Sequence, residues 1–490
     1  MIFNSITFLI FLMISVCLFW VLNLRARLLY LFLASLVFYA FWRVEFLAVM
    51  LFSTVLDYVV SLELGKVRYT QKQRKGLLLV SILLNLGVLF FFKYLLFFTD
   101  SIISLAHVFG LEWNSPALNI ILPLGISFYT FQTMSYTIDV YRRHRKPVRD
   151  FTLYACYVTF FPQLVAGPIL RASEVVDQLS VGKKFDMRML QEGLKRILYG
   201  LFLKVVLADN IAPLVNDGFA IEAAQFGGLD VWTLAFLFGF QIYFDFAGYS
   251  HIAIGCARLM GINFPENFNF PYAARSFRDF WKRWHISLSS WIRDYLYLPL
   301  TGARVVSKLS SSEGGLGQEL NTTGKKRSKD AALFLTWGIM GLWHGANWTF
   351  VFWGLYHSTM IYAERQLQKL WTRLNIKWNA KIGWLVTLSL AMLGWIPFRA
   401  QTLNDALIMF GKAFNPFTYL QLTMRENVYL ITALIAIAVI LTYEVDHIGR
   451  KLKSENSLAF IPLHVVKYTA IVLLVYIFFR PINQFIYFQF

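Results

Sequence analysis

The feature that leaves this chain least choice is a succession of apolar runs, many near the roughly 20 residues that cross a bilayer as helix, with its lysines and arginines gathered in the loops between them. Inside lipid every backbone N–H and C=O must be satisfied within the protein, so such runs fold as helices. The composition agrees: 57% of the 490 residues are hydrophobic and 15% charged, outside the range of soluble globular domains. An all-α, polytopic integral membrane bundle follows. The net charge of +18 suggests nucleic acid at first sight, but basic loops between apolar spans are the mark of positive-inside topology. No nucleic-acid partner is expected.

Orientation is read from the same loops. Residues 6–22 are expected to stay as a first helix, because no basic residue precedes them while Arg25 and Arg27 follow. The loop from Lys66 to Lys75 is then cytoplasmic, and alternation gives about nine full crossings with the C-terminal tail, 481–490, outside. Two stretches resist a single crossing. Residues 151–170 are interrupted by Pro162, Gly167 and Pro168, which predicts a re-entrant pair of half-helices; residues 331–362 suit two half-helices meeting near His344. Irregular backbone at membrane depth is tolerated where it is buried or lines a cavity, so both stretches are candidate walls of a central tunnel. From Tyr272 to Leu300, aromatic and basic residues alternate at helical spacing, which predicts an amphipathic helix at the cytoplasmic interface. Residues 303–330 form a long polar cytoplasmic loop. No internal repeat divides the chain, and 1–490 reads as one domain.

His344 lies in the apolar run Gly341-Leu-Trp-His-Gly-Ala-Asn-Trp348. A lone histidine on an apolar face is ordinarily a hydrogen-bonded core residue, but an ionisable group at membrane depth is a functional candidate. Gly341, Gly345 and Gly354 are expected to leave room for a narrow ligand beside the ring. A second histidine, His285, falls in Trp281-Lys-Arg-Trp-His-Ile-Ser-Leu-Ser-Ser290, and buried imidazoles suit proton abstraction near neutral pH. Arg278, Lys282, Arg283 and Trp284 make a basic, aromatic surface suited to the phosphates of a soluble donor, or to anchoring on anionic membrane lipid. Nucleophile, zinc and phosphate-loop templates are missing, and Cys17, Cys156 and Cys256 are too far apart to suggest a metal site or a disulfide framework. Two classes stay open on the residues alone: a transferase in which a histidine activates an acceptor hydroxyl, and a transporter or flippase using His344 as a proton or ligand site.

Four phrases bear on that choice: Phe161-Pro-Gln-Leu-Val-Ala-Gly-Pro168, Gln241-Ile-Tyr-Phe-Asp-Phe-Ala-Gly-Tyr-Ser250, Phe280-Trp-Lys-Arg-Trp-His-Ile-Ser-Leu-Ser289 within its longer motif, and the His344 run. They resemble the membrane-bound O-acyltransferases, in particular the bacterial branch with the membrane subunits of alginate and peptidoglycan O-acetylation. The resemblance is densest over 120–360. It implies a multi-pass protein of the bacterial inner membrane that passes an acetyl group from cytoplasmic acetyl-CoA to an exported or cell-wall polysaccharide. It also implies no tightly bound cofactor or metal, His344 and His285 as catalytic and supporting histidines, and a periplasmic serine-hydrolase-like partner. The ending Phe485-Ile-Tyr-Phe-Gln-Phe490 is similar to one in which the tyrosine carries the acyl group, which would make Tyr487 a relay; on the residues alone it is an interfacial aromatic anchor. Tyr297-Leu-Pro-Leu-Thr-Gly302 departs from the branch's usual Tyr-Ile-Pro-Leu-Gly-Gly, so the polysaccharide stays open.

Overall fold

The computed structural model describes residues 1–114, 118–164, 167–307, 318–321, 328–376, 379–451 and 461–479. Tyr487 and the tail 481–490 lie outside the described residues, as does most of 303–330.

The chain opens with helices α1 (Ile6–Val21), α2 (Leu24–Ala40), α3 (Leu47–Leu64) and α4 (Gln71–Val108). Each start is capped where the sequence supplies a side-chain acceptor: Ser5 takes the Phe8 amide, Asn23 takes that of Ala26, and Thr70 forms a reciprocal box with Gln73. At 38 residues, α4 is longer than the roughly 20 that one crossing needs, with a π-helical turn at Phe90–Tyr94. Next come α5 (Ile126–Tyr141), α6 (Phe151–Thr159), α7 (Phe161–Leu164), α8 (Met187–Phe219) and α9 (Gly228–Leu259). Residues 151–170 are therefore broken as expected. The break falls at Phe160, ahead of Pro162, and the half-helices are enclosed from Tyr154 to Leu164.

Then follow α10 (Phe277–Arg283), α11 (Ile286–Ile292), a two-stranded antiparallel hairpin of β1 (Arg304–Ser307) and β2 (Gln318–Asn321), α12 (Lys329–His344), α13 (Trp348–Arg373), α14 (Ala380–Arg399), α15 (Glu426–Lys451) and α16 (Ile461–Phe478). Two helices do meet at His344, α12 and α13, but α13 has 26 residues and runs past 362, so it is not the half-helix expected. The expected interfacial helix over Tyr272–Leu300 is not present: α10 and α11 are short, broken at Trp284-His285, and their aromatic face is buried against protein. Among the described residues six helices are long and apolar enough to cross a membrane, with two shorter apolar ones, α1 and Val465–Phe478. That is fewer than the nine expected, partly because α2 and α5 have only 17 and 16 residues. The interior of α5, rich in Thr, Ser and Gln, is polar because thirteen of its residues are buried in protein and not in lipid.

The described chain forms two compact units interleaved in sequence. The first comprises Met1–Leu194, Ala253–Pro265 and Ser290–Ser328. Its interior holds a Phe3–Phe8–Phe38–Phe161 cluster and a fully buried carboxylate, Asp57, that accepts from Ser81, from Asn85 at 2.9 Å and from Thr137 at 3.1 Å. The second comprises Lys195–Ile252, Glu266–Ser289 and Lys329–Phe490. In it α8 and α9 touch at Gly200 and Gly248, where an added Cβ on Gly200 would lie 2.6 Å from the Gly248 carbonyl oxygen. One turn on, at a π-helical turn over Phe202–Ala208, buried Lys204 sits 2.8 Å from both the Asp209 and the Asp245 carboxylates. All the expected site residues of the described chain belong to this second unit.

Candidate functional site

His344 is the last residue of α12, 4% exposed. Gly345 and Ala346 turn the chain, and Asn347 restarts it by accepting the Thr349 amide at 3.0 Å. The ligand space expected beside Gly341, Gly345 and Gly354 is not there; these glycines are used for packing. A Cβ on Gly354 would stand 2.1 Å from the Trp337 carbonyl oxygen, one on Gly341 2.2 Å from that of Phe350, and one on Gly345 2.1 Å from the Phe350 ring. Backbone therefore meets backbone along the hairpin, which fixes where the end of α12 points. The imidazole is walled by Trp343, Trp353 and Phe398, with ring centroids 5.0, 4.8 and 5.3 Å away. Water is largely excluded here, which strengthens every electrostatic interaction within. His344 stands at the C-terminal end of α12, where the last helix carbonyls carry partial negative charge.

His285 sits in the break between α10 and α11, fully buried, at φ +41°. The left-handed backbone ends one helix and starts the next, and a single side chain, Asn267, holds the joint. Its backbone oxygen accepts the Ile286 amide at 2.9 Å; its Oδ1 accepts the Ser287 amide at 3.3 Å, the Ser287 hydroxyl at 2.9 Å and faces His285 Nδ1 at 3.1 Å; its Nδ2 donates to Ser250 Oγ at 3.2 Å. Because a backbone N–H can only donate, Oδ1 is the atom facing it, so His285 Nδ1 must carry the hydrogen. That tautomer leaves the Nε2 lone pair as the ring's acceptor. The motif ending in Ser250 and the motif around His285 are thus joined through Asn267.

The two histidines share a neighbour: the Trp343 ring lies 6.3 Å from that of His285 and 5.0 Å from that of His344. A third histidine belongs to the same array. His357 on α13 is fully buried, 4.9 Å from Trp353 and 5.0 Å from Trp281 by ring centroids, and stacked at 5.7 Å on Trp337. Its place in the apolar run, four residues after Trp353, was the available signal, since that spacing puts both on one helix face.

The expected donor surface separates into three kinds of residue. Arg278 and Lys282 are exposed. Arg283 is paired with Asp279 at 2.9 Å, and Trp284 is 1% exposed, packed 4.7 Å from Trp395 and stacked on Phe280. Trp284 is thus part of the aromatic core, because the segment turns this face inward. The start of α10 is held by the Ser276 cap and by Glu364, which accepts the Phe277 amide at 2.6 Å.

The chain matches the family model of the membrane-bound O-acyltransferases over residues 135–313. It is 37% identical to a probable alginate O-acetylase of Azotobacter vinelandii, over 90% of this chain and 84% of that one. It is 36% identical to a peptidoglycan O-acetyltransferase of Helicobacter pylori, over 77% and 72% of the two chains. A teichoic acid D-alanyltransferase of Streptococcus thermophilus is 29% identical over 58% of this chain and 69% of its own.

Proposed function

Because the chain belongs to the membrane-bound O-acyltransferase family, and is an O-acyltransferase of the membrane, we propose that it passes an acetyl group from cytoplasmic acetyl-CoA across the bacterial inner membrane for O-acetylation of an exported or cell-wall polysaccharide, of alginate or peptidoglycan type. The observation that carries this reading is His344, an imidazole enclosed by aromatic rings at the elbow of a backbone-tight hairpin, in a chain whose relatives are named for acetylating those polymers.

In this reading His344 takes the proton from an acceptor hydroxyl as its oxygen attacks the thioester carbonyl carbon; the tetrahedral intermediate collapses, the carbon–sulfur bond breaks, and the imidazolium returns the proton to the departing CoA thiolate. His285, with Nε2 as acceptor, orients the incoming hydroxyl or donor. Arg278 and Lys282, the exposed cations of α10, steer the donor's phosphates. The first acceptor is Tyr487, whose hydroxyl, with an unperturbed pKa near 10, is a poor nucleophile without a base. The aryl acetate it forms is activated enough to pass its acyl group to a serine of a periplasmic partner.

The test uses the purified full-length protein in nanodiscs with acetyl-CoA. Free CoA thiol should appear, and His344→Ala should slow it by about 10²- to 10⁴-fold, the usual contribution of a general base, with folding unchanged. A parent protein that neither releases thiol nor becomes acetylated would overturn the proposal. Parental rates in His344→Ala would remove His344 from the chemistry.

A further inference from the structure

The second unit holds a cavity of about 550 Å³ that is separate from the histidine array. One wall is α9, through Phe236, Phe240 and Tyr243; a second is α14, through Lys381, Trp384, Leu385 and Leu388; a third is α15, through Ala436, Ile440 and Tyr443. Each set recurs every three or four residues, so each lines one helix face. From Lys381 to Leu388 the slot runs about 10 Å along α14, at about 1.5 Å per residue.

The slot has two chemically different ends. Lys381 begins α14 and Arg275 lies beside the turn Pro271–Ala273; both line the cavity, both are exposed, and neither makes an ion pair among the described residues. Among the described residues no aspartate or glutamate lines the cavity. Beyond the cations the lining is hydrocarbon and aromatic. Two of its polar groups are turned into protein: the Tyr272 hydroxyl donates to the Gly239 carbonyl, and Trp384 Nε1 donates to the Tyr272 carbonyl at 2.9 Å. Leu385 is 57% and Ile440 40% exposed, so the slot is open at its side. In a protein embedded in lipid, that side faces acyl chains.

We propose that this slot is a specific site for one anionic phospholipid, with an acyl chain along the α14 face and the phosphate against Arg275 and Lys381. A chain without hydrogen-bonding groups fits a lining that is mostly hydrocarbon and aromatic, and two cations with no ion pair among the described residues select a negative headgroup over a zwitterionic one. An acetyl group has no use for an apolar slot of this length. The Tyr243 and Tyr272 rings, 6.1 and 6.0 Å from that of Trp284, stand between it and the His285 segment.

The full-length protein, exchanged into micelles with equal phosphatidylglycerol and phosphatidylcholine, is measured by native mass spectrometry. One retained phosphatidylglycerol per chain is expected, favoured over phosphatidylcholine on the order of twentyfold, from two basic residues near an anionic surface. Arg275→Gln with Lys381→Gln should bring the two lipids to near parity. Ala436→Phe, which fills the slot from a partly exposed position, should remove the single retained lipid while the melting temperature in phosphatidylcholine stays parental. Equal retention of both lipids by the parent, a preference that survives the double substitution, or displacement of phosphatidylglycerol by acetyl-CoA would each overturn the proposal.

Discussion

Asn267 is the residue whose removal should be most informative, because one side chain sets both the backbone of the His285 joint and the tautomer of its ring. In Asn267→Leu, Oδ1 is lost to three donors: the Ser287 amide, the Ser287 hydroxyl and His285 Nδ1. At about 1 kcal/mol for each lost hydrogen bond, the variant should be destabilised by about 3 kcal/mol. The chemical effect is separable. With no acceptor at Nδ1, the proton is free to move to Nε2, which turns the ring's acceptor into a donor. A wrong tautomer costs a catalytic triad about 10⁴-fold; for a ring that orients and does not take the proton, a fall in kcat of about 10²-fold is expected. Asn267→Asp keeps an acceptor at Nδ1 and should stay within about tenfold of the parent. Thiol release from acetyl-CoA, with the partner and polymer present to unload Tyr487, gives kcat and KM, and nitrogen NMR of labelled histidine, assigned by difference against His285→Gln, reads the tautomer. A folded Asn267→Leu with parental kcat would refute the reasoning, as would an unchanged His285 tautomer in that variant.

Three further outcomes are expected. Lys204→Met leaves the Asp209 and Asp245 carboxylates without their shared cation, so it should lower stability by about 3 to 5 kcal/mol, seen as a lower melting temperature in detergent and partly restored by adding Asp245→Asn. Arg278→Gln with Lys282→Gln should raise donor KM severalfold with little change in kcat, whereas loss of abundance at constant KM would mark these residues as membrane anchors. Tyr487→Phe keeps an aromatic body at the tail and should abolish transfer to polysaccharide; parental acetylation would show that the donor's acetyl group reaches the partner without Tyr487.

Helix breaks were legible where local chemistry decides them: the interruption beside Pro162 and the elbow at His344. The segment 272–300 was misread because helical spacing of aromatic residues says that one face is buried, not whether lipid or protein covers it. In an interior built from indole rings the two cases look alike, and His285 at positive φ splits a run whose spacing is continuous. Gly341 and Gly354 were recognised as close-approach positions but assigned to a ligand, since sequence does not say what approaches. Asn267 carried no signal at all, because its role needs α9, the loop before α10 and the His285 joint in one place. Lys204 did carry one: a charge inside the apolar run 197–215, with Asp245 inside the next.

The buried pair of Lys204 and Asp245 has a consequence for how the protein is made. A charged side chain at the centre of an inserting helix costs about 2.5 to 3.5 kcal/mol, and α9 carries Asp245 with its cation on another helix. The preceding helix, α8, is synthesised first and holds Lys204 with Asp209, a partner of its own. It can therefore enter the bilayer already compensated and wait there as the receptor for Asp245. The few residues between Phe219 and Gly228 then let the second helix follow as the other arm of a hairpin, so that the order of synthesis matches the order in which the charges find partners.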